Sequence, residues 1–460
     1  MTNKQTINRR DFLTGTAAVG VGSVLGAGLL NSCSNGSVSD KYVPLRPVSE
    51  YFIPELGDKA IDGKPVRAAL IGCGSRGTGA ALDFLNAGDG LSVTVLADLF
   101  QDRLDLCRND YLKRITGNEV ADENCFIGFD AYKKACESDV DMVIIATPSL
   151  FHAQHMKYAI EQGKHVFVEK AAAIDAVGYR DYMVGIKQAQ AKGLCLVTGT
   201  QRHHERGYNE SYRKVQEGYI GKIISGNVYW NQGHMDFKCR KPEWTDMEYM
   251  FRDFFSWNWL CGDHIIDQGV HNIDVFCWFS HLKPVSAVCM GSRLQRKTGN
   301  IYDNFSADIV FEGDVHLHAM ARQIDDCAGF TGEIIQGTKG FWRSSDQSIH
   351  DWDGNLVWQY DMTAQDAQYK QNSGYVLEHM DLVNHIRSGK VINIAECTAI
   401  SSMAGIMARE SAYTGKLITW DEMTTSDHCL MPEEKDLHLG NTDMKKFTTI
   451  PLPGASPKPC

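Results

Sequence analysis

The strongest constraint on this chain is the run Val66-Arg-Ala-Ala-Leu-Ile71, which enters Gly72-x-Gly74-x-x-Gly77 without a break. A strand ending in this spacing needs a tight turn at Gly72, a bare backbone at Gly74 where a pyrophosphate can approach, and close helix-on-strand packing at Gly77. A helix opening at Ser75, with Arg76 in its first turn, then aims its N-terminal amides at the phosphates. The next apolar strand, Leu91-Ser-Val-Thr-Val-Leu-Ala-Asp98, closes on a carboxylate. An acid at that point hydrogen-bonds a ribose 2′-hydroxyl and repels a 2′-phosphate, so the reading is NAD, with NADP second.

The alternation continues through Asp141-Met-Val-Ile-Ile-Ala-Thr147-Pro148, a helical stretch from His152 to Gln162, and His165-Val-Phe-Val-Glu169-Lys170. Strands separated by helix-length segments predict a parallel, doubly wound sheet, with ligands at the carboxyl ends of the strands. Thr147, Pro148, Glu169 and Lys170 therefore face the nicotinamide side of the cleft. This Rossmann domain is expected over 65–193. Beyond it, segments at 222–230, 285–292, 306–311, 316–321 and 332–335 read as strands, several with the period-two alternation of an antiparallel sheet buried on one face. Helical spacing at 375–387 and 396–413 predicts two helices returning to the Rossmann domain. The expected fold is thus α/β: an N-terminal Rossmann domain and, over 194–423, a C-terminal α/β domain for substrate and oligomerisation. A surface tail is expected over 424–460.

With Gly72-x-Gly74-x-x-Gly77, Ala146-Thr147-Pro148 followed by His152, Glu169-Lys170 and Asp267-x-Gly269-x-His271-x-x-Asp274 in order, the chain resembles the glucose-fructose oxidoreductase, inositol dehydrogenase and MocA family of NAD(P)-dependent sugar and polyol enzymes. The resemblance runs from about Arg67 to about Thr419. It implies an open-faced, mostly antiparallel sheet in the second domain, whose free face packs in an oligomer (dimer or tetramer) or meets substrate. It also implies that Lys170, Asp267 and His271 carry the chemistry and touch substrate. One departure is Ala171, where the family has proline.

The residues support that transfer. Asp267 and His271 sit four apart and so share one face of a helix, with Asp263 and Asp274 continuing the stripe. A neighbouring carboxylate would orient the imidazole and raise its pKa, making His271 the general base while Lys170 stabilises a developing alkoxide. A metal reading of Asp263-His264-x-x-Asp267-x-x-x-His271, with His203-His204-Glu205 adding ligands, lacks the His-Glu-x-x-His arrangement and any Cys-x-x-Cys partner, so no metal is expected. Arg202 and His204, just past a strand-like segment, are candidate substrate contacts. Phe251, Phe254, Phe255, Trp257 and Trp259 crowd the segment before the acid/base pair, where flat rings stack on sugar faces or fill a core.

The chain has 460 residues, a formal charge of −11 and no block of Lys and Arg, which argues against nucleic acid. Its 14 cysteines are scattered without close pairs and read mostly as small core residues. The start, Asn8-Arg9-Arg10-Asp11-Phe12-Leu13 and a Gly/Ala-rich apolar run to Leu30, resembles a twin-arginine export signal over 1–32. Leu30-Asn-Ser-Cys33 resembles a lipoprotein cleavage site. The expectation is a periplasmic or cell-surface protein anchored only by lipid on Cys33, with a tether and arm over 33–64.

Export of a nicotinamide enzyme away from the cytoplasmic pool requires a tightly held cofactor that is recycled in place. The reading is an oxidoreductase moving a hydride between bound NAD(P) and a hydroxyl of a sugar, glycoside or polyol. A glycoside hydrolase using transient oxidation and elimination is the alternative, and a non-catalytic sugar-binding protein is a further one.

Overall fold

The computed structural model describes residues 42–454 except Asp236. The export signal and Cys33 lie outside these residues, as do 34–41 of the tether. Six parallel strands form the first sheet in the order β3-β2-β1-β4-β5-β6: β1 Val66–Ile71, β2 Leu91–Asp98, β3 Cys125–Ile127, β4 Met142–Ile145, β5 His165–Val168 and β6 Leu196–Thr198. β1, β4 and β5 are nearly all buried, as strands covered by helices on both faces must be. The strand order reverses between β1 and β4, which opens the crevice where ligands bind such sheets. β6 pairs with β5 in parallel and belongs to this sheet, so the expected boundary at Gly193 falls one strand early.

The second sheet has nine strands in the order β14-β13-β12-β11-β7-β10-β9-β8-β15, built from β7 Ile223–Gln232, β8 Pro284–Ser292, β9 Asn304–Phe311, β10 Val315–Gln323, β11 Phe330–Gly337, β12 Gly340–Arg343, β13 Ser348–Asp351, β14 Leu356–Gln359 and β15 Ile418–Thr419. Only the β7–β10 pair is parallel. Register assigns the faces cleanly. Ala287, Ala307, Ile309, Leu317, Ala319, Val228, Ile335 and Trp342 pack inward, whereas Val288, Met290, Met320 and Phe330 stand exposed on the other face. That alternation is what a sheet covered by helices on one side only requires.

The two expected return helices are Gly374–Ser388 and Ala395–Thr414. The first packs Val376, Leu377 and Met380 into the cluster around Phe84 and Leu70 of the Rossmann domain. The second is buried along most of its length and joins both sheets in one core. Its polar side chains tie together loops that are far apart in sequence. Ser402 Oγ accepts the Ala172 N–H at 3.0 Å, and Ser401 Oγ donates to Asp274 Oδ1 at 3.1 Å. Arg409, only 1% exposed, donates through Nη1 to Ile174 O at 2.8 Å and Gly262 O at 3.2 Å. Its Nε and Nη2 share Glu410 Oε1.

The arm from Tyr42 to Lys64 lies over the body, with the Leu45 N–H on Gln216 O and the Ile61 N–H on Asn384 Oδ1. The segment after Thr424 runs back across the molecule and buries Phe447, with the Tyr302 hydroxyl on Pro451 O. Among the described residues all twelve cysteines are free thiols, and no helix is long and apolar enough to cross a membrane.

Arg409→Leu strips two buried carbonyls of their donor and leaves Glu410 without its cation. Urea unfolding should show a loss of about 3–5 kcal/mol.

Candidate active site

A cavity of about 1560 Å³ lies along the carboxyl edge of the first sheet. Its floor is the glycine loop. Gly72 has φ +97°, and a Cβ there would meet Ala146 O at 2.5 Å; a Cβ on Gly77 would lie 1.7 Å from Gly72 O. Gly74 has nothing within 4 Å of where its Cβ would be, so its backbone is bare toward the cavity. The helix Ser75–Asn86 starts there, with Gly74 as its N-cap. Asp98 lines the same cavity, its carboxylate receiving the N–H groups of Cys73 at 2.6 Å and Phe100 at 2.8 Å. Burial pushes its carboxyl up and these amides pull it down. Open backbone, helix N-terminus and strand-end acid together fit a dinucleotide.

Thr147, Pro148, Ser75 and Arg76 also line the cavity. Glu169, His152, Lys170, Asp267 and His271 stand behind this lining rather than in it. Glu169 is buried, with Arg76 Nε 2.8 Å from its Oε1; the N–H is not aimed at that oxygen, so this is an ion pair rather than a hydrogen bond. Arg76 Nη2 reaches Asp83 at 2.8 Å, and the guanidinium lies over the Tyr375 ring. The glycine loop is thereby fastened to the strand end carrying Lys170. His152 sits under the nicotinamide side with one ring nitrogen 2.7 Å from Ala171 O and the other 2.8 Å from Thr147 O. Burial drives its pKa down to about 4, so the ring is neutral and donates to only one of the two. It braces the loops before and after the cleft.

The acid/base segment also differs from expectation. Asp263, Asp267, His271 and Asp274 do not form one stripe, because the helix His264–Asp267 breaks at Gln268 and a new one, Val270–Ser280, begins. Asp263 turns toward Tyr413 and the Tyr302 N–H, and Asp274 toward His203 and Ser401. Asp267 remains at the site, with Lys170 Nζ on its backbone carbonyl and 3.4 Å from its Oδ1. The Lys170–Ala171 peptide is cis. His271 stacks on Trp230 at 5.4 Å. Its pKa moves opposite to the expected direction: burial, then Lys170, Arg202 and Arg76, hold it well below the ordinary histidine value.

Arg202 is not free to bind substrate as expected. Its guanidinium pairs with buried Glu333 at 2.6 Å and lies over Tyr208 and Trp230, while Tyr208 and Asn272 also donate to Glu333. It clamps the ring on which His271 stacks. His204 faces Asp381 in the interior. Of the residues in the metal reading, Asp263 and His264 lie 3.3 Å apart, while His203 comes together with Asp274 and Cys397, which that reading did not include. His203 Nε2 and Asp274 Oδ2 are 2.5 Å apart, a direct hydrogen bond, whereas two ligands of a tetrahedral ion would stand roughly 3.4 Å apart. Phe251, Phe254 and Phe255 line the cavity, while Trp257 and Trp259 are core.

The opposite wall of the cavity was foreseen only at Phe251, Phe254 and Phe255. The rest of it comes from Met235, Lys238, Arg252 and Asp253, and from Cys429, Met431, Pro432, Glu434 and Leu437 of the expected tail. Arg252 holds one edge, making a two-pronged pair with Asp102 at 3.0 and 3.1 Å and covering the Phe100 ring, while Arg103 donates to Arg252 O. The Leu430 N–H on Asp175 Oδ2, at 2.7 Å, holds the other. No motif marks these residues, because the wall is made by main-chain docking and scattered pairs.

Residues 66–198 match the oxidoreductase family with an NAD-binding Rossmann fold, and residues 208–343 match the GFO/IDH/MocA C-terminal domain, together more than half of the chain. The chain is 34% identical over 236 residues to glycosyl hydrolase family 109 protein 1 of Bacteroides fragilis, covering 45% of this chain and 47% of that protein. It is 28% identical over 261 residues to a glycosyl hydrolase family 109 protein of Solibacter usitatus, covering 54% and 51%. It thus spans about half the length of these curated relatives. Among solved structures, the fold matches myo-inositol 2-dehydrogenase of Lactobacillus plantarum (TM-score 0.58, 20% identity, 77% of this chain and 99% of that one). It also matches scyllo-inositol dehydrogenase of Lactobacillus casei with bound NAD(H) and scyllo-inositol (TM-score 0.58, 21% identity, 77% and 99%).

Two outcomes follow from this geometry. Replacing Arg252 by Ala unfastens one edge of the outer wall, and release of NADH, followed by its fluorescence, should quicken about tenfold. His155 is buried against Tyr132 with its pKa lowered to about 3. A histidine neutral in the folded state and titrating near 6.5 when unfolded lends stability that is present above pH 6.5 and lost as pH falls toward 3. Between pH 7.5 and 4.5 the wild type should therefore lose about 2–3 kcal/mol more than His155→Phe in denaturant unfolding.

Proposed function

The chain belongs to the GFO/IDH/MocA family of oxidoreductases, and we propose that it moves a hydride between tightly held NAD and a hydroxyl of a sugar, glycoside or polyol. The observation that carries this reading is Lys170 with Asp267: a cation from the carboxyl edge of the first sheet meets a carboxylate from the second domain beside the dinucleotide groove. When bound, NAD supplies the hydride acceptor. Lys170 binds the substrate oxygen and favours its alkoxide character. Asp267, anionic beside Lys170, takes the hydroxyl proton. His271, neutral among three cations, offers its lone pair to hydrogen-bond the substrate and, stacked on Trp230, fixes one wall of its site.

The relatives in glycosyl hydrolase family 109 favour a second reading on the same residues, glycoside cleavage in which oxidation is transient and the cofactor ends as it began. The export and lipidation motifs at the start of the sequence support a periplasmic or cell-surface location. The exposed row Val288, Met290, Met320 and Phe330 on the second sheet supports pairing with another copy of this chain.

The test begins with the purified protein, denatured without added nucleotide, whose released NAD or NADH is measured by chromatography. The protein is then given D-glucose, D-galactose, myo-inositol and the p-nitrophenyl α- and β-glycosides of both hexoses. Growth of absorbance from reduced cofactor with a keto-sugar product supports oxidation, and p-nitrophenol release with cofactor unchanged supports cleavage. Lys170→Ala should lower kcat about 10²–10³-fold while nucleotide content stays the same. A protein that neither carries nor binds NAD overturns the enzyme reading.

A further inference from the structure

Oxidising an alcohol releases a proton as well as a hydride, and the residues assigned above store it poorly. His271 is flanked by Lys170, Arg202 and Arg76, so an imidazolium there is opposed by three charges. Asp267 is already engaged with Lys170, whose Nζ lies 3.4 Å from its Oδ1. A second histidine lies beside it. His264 opens the short helix that ends at Asp267 and is 2% exposed. Its Nδ1 is 3.3 Å from Asp263 Oδ1, an oxygen that also accepts the His264 backbone N–H at 2.6 Å. The other Asp263 oxygen accepts the Tyr302 N–H at 2.8 Å and the Tyr413 hydroxyl. Asp263 holds this arrangement at φ +79° and ψ 159°, a backbone region normally left to glycine.

With Nδ1–H directed at Asp263, the tautomer this network selects, Nε2 carries a lone pair, and it has no hydrogen-bond partner among the described residues. His264 is among the residues lining a small cavity of about 10 Å³, with Asp267, Arg296 and Gln323. That volume is about the room one water molecule needs, and such a site is wet where several polar groups converge. The Arg296 guanidinium donates to Tyr302 O and to Gln323 Oε1, while its backbone N–H donates to Asp303 Oδ2 at 3.2 Å. Its charge attracts the water oxygen and turns the water's protons toward Asp267 and His264. Met235 and Phe255 line both this cavity and the dinucleotide groove, so the two spaces are neighbours.

We propose that His264, backed by Asp263 and reached from Asp267 through one buried water, is the residue that stores the proton released from the substrate hydroxyl. The inference rests on the oxidoreductase reading above. In the balanced step, the substrate C–H electron pair leaves as hydride and its O–H proton goes to an Asp267 oxygen. Asp267 then passes a proton to the water, and the water gives one of its own to His264 Nε2. The imidazolium so formed faces the Asp263 carboxylate, an arrangement in which the carboxylate fixes the tautomer and stabilises the charged ring without itself taking the proton. His264 touches neither substrate nor cofactor, so it is a positioning residue that acts through the water and Asp267.

The first arm of the test needs no substrate. A crystal structure of the purified protein at 1.5 Å resolution or better should show one ordered water within about 3.2 Å of both His264 Nε2 and an Asp267 carboxylate oxygen. An empty space, or a water that touches only one of them, overturns the relay. The second arm compares wild type with His264→Asn and His264→Gln on whichever sugar of the panel above is oxidised fastest. Both variants should keep nucleotide content, melting temperature and KM, and lose about 10²-fold in kcat, the range a positioned proton acceptor contributes. Unchanged kcat, or a loss shared with KM or melting temperature, makes His264 structural and overturns the proposal. A wild type that holds NAD but oxidises nothing in the panel fails the oxidoreductase reading itself, and the relay falls with it. A relay failure alone leaves wild-type turnover intact.

Discussion

The placement of the site depends on one buried cation. Arg409 donates to Ile174 O, just after the Lys170 loop, and to Gly262 O, just before Asp263, so a single guanidinium sets the spacing between the two halves of the acid/base pair. A planar fork with several rigidly placed donors is suited to this; a lysine in its place would present a point charge on a flexible stem. Ser402 on Ala172 and Ser401 on Asp274 repeat the linkage about two turns earlier on the same helix. Burying so many polar groups is tolerable only because nearly every one is satisfied, which also makes the helix unforgiving of change. Lys170 and Asp267, nearly a hundred residues apart in sequence, meet because both loops are measured against this helix.

Charge then decides what each residue at the site can do. The pattern of Asp and His four apart suggests a carboxylate-supported histidine base, but the break at Gln268 sends the carboxylates of Asp263 and Asp274 elsewhere and leaves His271 with cations for neighbours. The field favours a neutral ring at His271. Nearby, the structure places imidazole against carboxylate at His203 with Asp274 and at His264 with Asp263. The first is sealed in the core against Trp278, and the second opens on a small space beside Asp267.

The fold was legible where local chemistry leaves few alternatives. Gly72 and Gly77 each meet a steric demand that only glycine meets at no cost, and Gly74 leaves its backbone bare to the cavity, so their spacing reports the loop directly. The strands β7 to β11 show their alternation because one face is buried and the other is not. What stayed hidden is tertiary. Helical periodicity could not show that a helix stops between Asp267 and His271, since the break needs only one turn of irregular backbone. Arg202 looks like a substrate contact from its neighbours in sequence, but Glu333, from a distant strand, claims its guanidinium. The segment after Thr424, with its prolines, gives no periodic signal, yet Cys429, Met431 and Leu437 form a wall of the groove because main-chain hydrogen bonds to Asp175 and the 246–247 turn hold it there.

That wall links the architecture to the proposed chemistry. A dinucleotide groove open along its length exchanges cofactor freely and depends on a soluble pool to regenerate it. Here the groove is faced by a second domain through Arg252 and Asp102 and by the returning C-terminal segment through Leu430 and Asp175, the contacts on which the proposed retention of NAD rests. A chain built this way gains little from releasing NADH after each turnover and more from a second step that returns the hydride within the same site. Both readings of the function contain such a step, oxidation of one sugar coupled to reduction of another, or oxidation and re-reduction of one glycoside around bond cleavage. They differ in what happens to the carbonyl intermediate. A keto-sugar that dissociates makes an oxidoreductase, whereas one held beside Asp267 long enough to lose a leaving group makes a hydrolase, and the same Lys170, Asp267 and neutral His271 serve both. The distinction therefore lies less in the acid/base residues than in the residence time set by the walls around them, Phe251, Phe254 and Phe255 on one side and the 429–437 segment on the other.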